Sequence, residues 1–86
     1  MKLPMIKHIS NFIQENDEDF VHETLETLEN LTELSSLKDE ELDVIGELIS
    51  NMYGAIEVNT MMKEEGLSQK EAAKKFMDRV LGSIDK

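Results

Sequence analysis

One stretch, Glu41 to Met62 (ELDVIGELISNMYGAIEVNTMM), restricts the possible folds most. It reads as a single long helix that is apolar around half its circumference. On a wheel of 3.6 residues per turn, Leu42, Ile45, Ile49, Met52, Tyr53 and Ile56 form one stripe. Val44, Leu48, Ala55 and Met62 form a second row beside it. The combined arc is about 180°, against the ~100° of a helix with one buried face. Such a helix needs neighbours on two sides, so it is expected at the centre of the fold.

Its polar side carries Asp43, Glu47, Asn51 and Glu57, and Met61 leans the same way, toward solvent or a contact. Along the border run Gly46, Ser50 and Gly54, spaced four apart. A mid-helix glycine costs about 0.8–1 kcal/mol relative to alanine, so two of them need a compensating reason. A ladder of small residues lets another backbone come close. Either a helix of the same chain crosses there, the commoner cause, or the ladder is a groove for a second copy. Gly46, Ser50 and Gly54 are therefore candidate interface residues.

The flanking segments read as three more helices. Pro4 fits the first turn of a helix starting near Leu3 and stopping near Asn16. Its apolar face holds Met5, Ile6, Ile9, Phe12 and Ile13, with Lys7, Ser10, Asn11 and Gln14 opposite. Asn16 and Asp17 are N-cap candidates for a second helix, with Glu18 and Asp19 in its first turn. Phe20, Val21, Leu25, Leu28, Leu31 and Leu34 make its apolar face. Glu23, Glu26, Glu29 and Glu33 line the opposite face, either as a solvated surface or as an acidic docking strip for a basic protein. Ser36 or Asp39 is expected to cap the central helix, and Gly66 to end it in a left-handed turn. Ser68-Gln69-Lys70-Glu71 fits the capping box S-x-x-E of a last helix. Its apolar face is Ala72, Ala73, Phe76, Met77, Val80, Leu81 and Ile84, and its mildly basic face is expected to complement the acidic second helix, within the chain or across a dimer. The four aromatic residues, Phe12, Phe20, Tyr53 and Phe76, fall on apolar stripes and are expected in the core. The expectation is an all-α fold: a small four-helix bundle, 1–86 as one domain, with a long central third helix and mostly antiparallel neighbours.

Composition narrows the functional classes. The chain has 86 residues and no cysteine, which leaves no disulfide, no thiol chemistry and no Cys₂His₂ zinc site. No apolar run approaches a membrane span, and the N-terminus has no cleavable apolar core, so a cytoplasmic protein without membrane contact is expected. Net charge is −10 and unevenly spread. Residues 1–14 carry Lys2 and Lys7 and no acid, residues 15–57 carry fourteen acids against Lys38 alone, and residues 58–86 are near balance. Such a surface repels phosphates, so nucleic acid is not an expected partner. It suits a basic protein partner, or simply solubility.

Two constellations hint at chemistry. Glu18, Asp19 and His22 share carboxylate–imidazole spacing with di-iron bundles, but once rather than twice, and His22 points to the acidic outer face. Ser36-Leu37 opens the long helix where acyl carrier proteins carry their modified serine, although Ser35 stands where that family has Asp. A capping role accounts for Ser36 without modification. No catalytic triad, phosphate loop or cofactor motif is present, so no enzyme activity and no cofactor are expected.

Three segments, MKLPMIKHISNFI, SLKDEELDVIGELISNMYGAIEV and RVLGSIDK, resemble a family of short, acidic, all-helical Bacteroidetes proteins of unknown function. That resemblance spans nearly the whole chain and implies no site residues. The expectation is a non-enzymatic protein–protein interaction or regulatory module, a homodimer because the domain is small and its long helix is apolar on two sides. The alternatives are an acyl-carrier-like protein modified on Ser36, or a small metal-binding bundle using Glu18, Asp19 and His22.

Overall fold

The computed structural model describes residues 1–84. Four helices follow in order: α1 (Leu3–Glu15), α2 (Asp19–Leu31), α3 (Asp39–Glu65) and α4 (Gln69–Ile84). Ile84, placed above on the apolar face of α4, lies outside the residues whose side chains are described.

The helix ends follow local chemistry. Pro4 sits in the first turn of α1. Glu18, rather than Asn16 or Asp17, is at the N-cap of α2, and the Asp17 carboxylate accepts the Asp19 N–H at 3.0 Å in the turn leading into it. The α4 capping box is complete: Ser68 Oγ accepts from the Glu71 N–H at 3.1 Å, and Glu71 Oε1 accepts from the Ser68 N–H at 3.0 Å. Gly66, at φ 67°, closes α3 in the left-handed conformation that glycine adopts without a Cβ clash. The start of α3 also differs from expectation. Neither Ser36 nor Asp39 caps α3; Lys38 is at the N-cap, and the Glu41 carboxylate accepts its N–H at 3.0 Å. The reason is that α2 ends at Leu31, earlier than its apolar spacing implies, and a run of turns carries Ser36 out into solvent.

α3 contacts each of the other helices, and its most extensive pairing is with α1. That pairing is parallel. The Lys2 N–H donates to Asn51 Oδ1 at 2.8 Å, and the Ser10 hydroxyl donates to Asn59 Oδ1 at 2.5 Å, a constant offset of 49 residues. α4 runs antiparallel to both. Lys75 pairs with Glu65 and Arg79 with Glu57, while Gln69 at the start of α4 reaches Lys7, Ser10 and Asn11 of α1. The basic face of α4 thus meets carboxylates of α3 rather than the acidic second helix expected from the sequence, because α4 packs on α3 and α1. The whole is 18 Å across its thinnest Cα dimension, about two helix layers.

The core is built from Ile6, Ile13, Val21, Leu25, Ala55, Val58, Met61, Ala72, Ala73 and Phe76. Two faces are rotated from their expected positions. On α1 the buried row is Ile6, Ser10 and Ile13, with Phe12 42% exposed. On α3 the buried residues are Asn51, Gly54, Ala55, Val58, Asn59 and Met61, so Asn51 and Met61 are inside and Tyr53 is half exposed. Phe20 and Leu81 are also exposed rather than core.

The rotation follows from close approach. A Cβ on Gly54 would lie 3.0 Å from Ile6 Cδ1 and 3.3 Å from a Phe76 ring carbon, so the bare backbone there admits α1 and α4 together. The buried asparagines are satisfied. Asn51 Nδ2 donates to the Glu47 carbonyl at 2.8 Å, and Asn59 Nδ2 donates to the Ser10 carbonyl at 3.3 Å.

Candidate protein interface

α3 has 27 residues against 13, 13 and 16 for α1, α2 and α4. The 49-residue offset sets where α1 begins: its first residues lie beside Asn51. Residues 39–50 therefore run ahead of α1 for about 18 Å, at 1.5 Å per residue. The row that α1 covers at Asn51, Ala55 and Val58 continues uncovered into Val44 and Leu48. Val44 is 60% exposed, and Leu42, Ile45, Leu48 and Ile49 are only half-buried. Leu37, Val44 and Ile45 floor a shallow open groove, and Glu40 and Glu41 stand at its rim. Leu31 and Leu34, at the end of α2 and in the turn after it, add further exposed apolar surface.

Acids surround this surface for a local reason. Asp39, Glu40 and Glu41 occupy the first turn of α3, where the helix dipole favours negative charge. Glu47, at the base of the overhang, lies 3.5 Å from the Met1 amine. Its carboxyl is held below the usual glutamate range, chiefly by the hydrogen bond from Asn51 and then by the amine. Asp39, Glu40 and Asp43 have no ion-pair partner among the described residues.

The small-residue ladder is divided. Gly54 is filled from within the chain by Ile6 and Phe76, Ser50 is half-buried, and Gly46 has nothing within 4 Å of where its Cβ would be. The acidic strip is exposed throughout, but its residues are not equivalent: Glu23, Glu26 and Glu29 lie on α2, while Glu33 falls in the turn beyond it because the helix ends at Leu31. Glu29 turns toward α3 and accepts the Tyr53 hydroxyl at 2.6 Å, which raises the Tyr53 pKa. Glu33 accepts from Asn30 at 3.3 Å, and Glu23 stands beside Asp17, Asp19 and Phe20. Glu23 and Glu26 remain as open surface charge.

The other candidates are placed as follows. His22 is exposed and 2.9 Å from Glu18. Among the described residues no three His, Cys, Asp or Glu side chains form a group that could hold a metal ion. Ser36 is exposed in the turn before α3. No described helix is long and apolar enough to cross a membrane.

Sequence reasoning missed the polar seam that fixes α1: Ser10, Asn59, Gln14 and Gln69, with Gln14 Nε2 and Gln69 Nε2 donating to Ser10 Oγ at 3.2 and 3.1 Å. A signal existed. Asn51, Ala55 and Asn59 lie four apart on one row beside Gly54, a polar–small–polar row where a solvated face would carry charge.

A family model described as "Family of unknown function (DUF6952)" matches residues 1–85. No curated protein and no solved structure matches the chain.

Proposed function

We propose that this chain, which belongs to the DUF6952 family of unknown function, is a non-enzymatic, self-associating protein–protein interaction module. The supporting observation is the overhang of α3. Three turns of helix with Val44, Ile45 and Leu48 on one side stand beyond the helices that cover the same row further along. An isolated helix this short is marginal in water, and its stability comes from packing of its apolar face. Moving one large aliphatic side chain from exposed to buried gains about 1.5–3 kcal/mol, so a second copy covering this row gains several such terms. A cytoplasmic location goes with this reading as part of the proposal.

The test is the mass in solution of the full chain and of Val44→Asp. Wild type is expected as a dimer, and the variant as a monomer with unchanged helicity. Val44 is 60% exposed, so the fold should survive its replacement. A wild-type protein that stays monomeric at all accessible concentrations overturns the reading, and so does a variant that dimerises as well as wild type. Native mass spectrometry also reads the alternatives directly: an adduct on Ser36 makes the chain a carrier, and bound metal at Glu18, Asp19 and His22 makes it a metalloprotein.

A further inference from the structure

We propose that the surface receiving the α3 overhang of a second copy is the groove between α1 and α4. Leu3, Ala73 and Met77 floor that groove, and Lys7, Lys70 and Lys74 rim it. This inference rests on the self-association reading and names the partner surface within it.

Charge selects this surface. The overhang groove is apolar at Leu37, Val44 and Ile45, with Glu40 and Glu41 at its edge and Asp43 beside them. Pressing two overhangs together brings like charges face to face, which is unfavourable. The α1–α4 groove has the opposite sign around the same kind of floor. Asp78 also faces it, and takes Lys74 at 2.9 Å. Neither Lys7 nor Lys70 has a carboxylate partner among the described residues. Lys7 is half-buried, so it sits within the groove wall with no acid of its own.

Position agrees with charge. Leu3 and Met77 lie at the end of the groove nearest Asn51, where the overhang leaves the bundle. A two-fold axis that seats one copy's overhang in the other's groove makes the same contact twice, which closes a dimer rather than propagating a chain. Both contacts are at an exposed rim, so added salt weakens them.

Two variants test this. Glu40→Lys with Asp43→Lys reverses the overhang, and Lys7→Glu with Lys70→Glu reverses the groove. Each alone is expected to weaken dimerisation by about tenfold or more, since a reversed rim repels at both contacts. Mixed in equal amounts, the two variants are expected to form a heterodimer, because each overhang then meets a groove of opposite sign. Circular dichroism of each variant confirms the helical fold. A dimer that tolerates groove reversal, or a mixture that stays monomeric, overturns this inference while the self-association reading stands. A wild type that never dimerises overturns both.

Discussion

Ser10 and Asn59 bond each other twice across the α1–α3 contact: the serine hydroxyl donates to Asn59 Oδ1 at 2.5 Å, and Asn59 Nδ2 donates to the serine carbonyl at 3.3 Å. Both residues are buried. A polar pair in an apolar contact fixes register, because sliding α1 by one turn leaves both groups unsatisfied. Asn59→Ala is expected to cost about 1–3 kcal/mol in urea unfolding, the penalty of stranding buried partners. Combining it with Ser10→Ala should give a coupling of about 0.5 kcal/mol or more in a double-mutant cycle.

The two mid-helix glycines of α3 predict opposite signs. Gly46 has open space around its missing side chain, so Gly46→Ala should stabilise by about 0.8–1 kcal/mol through helix propensity. In a domain of this size that raises the melting midpoint by roughly 4–8 °C. Gly54→Leu should destabilise by about 1–3 kcal/mol or more, because Ile6 and Phe76 already occupy the space. Thermal melting by circular dichroism reads both.

Tyr53 is the one tyrosine and the chain has no tryptophan, so phenolate absorbance reports it alone. Its hydroxyl donates to the Glu29 carboxylate, which favours the neutral phenol and raises the pKa above 10.0. The titration midpoint should lie above that of a free tyrosine and return toward it in Glu29→Gln. A raised pKa stabilises the fold below the unfolded value and loses that contribution as pH climbs through the folded one.

Glu71 has the reverse linkage. Hydrogen bonds from the Ser68 backbone and then its side chain lower the Glu71 pKa from 4.5. Its contribution is therefore present above 4.5 and disappears as pH falls through the lowered folded value. Ser68→Ala removes the other half of the box and should cost about 1 kcal/mol at neutral pH. Acid titrations of wild type and Glu71→Gln should converge at low pH, where both side chains are neutral.

Much of the architecture was legible in the sequence because helix ends are local. Pro4, Gly66 and the Ser68–Glu71 box each act within one turn, and periodicity found all four helices. The side of α3 that is buried was not legible. A wheel ranks faces by apolarity, which selects Leu42, Ile45, Ile49 and Tyr53. Burial is decided by approach, and Gly54 with Ala55 permits the closest approach, bringing Asn51 and Asn59 inside with it. Where cover ends is likewise a tertiary fact. Val44 and Ala55 share a row, but only Ala55 lies within the length of α1. The acidic strip was read correctly as exposed, yet Glu29 within it is engaged by a tyrosine from another helix, a pairing no local rule contains.

The parallel run of α1 against α3 also sets an order of assembly. α3 and α4 are joined by only Gly66, Leu67 and Ser68, so that hairpin closes a small loop. The α1–α3 contact instead joins residues 49 apart, and its loop-closure entropy must be overcome before any packing is gained. α1 should therefore dock late, onto a surface that α3 and α4 have already made. Until it docks, the polar row of Asn51 and Asn59 faces water, and the same two residues then lock the register of α1.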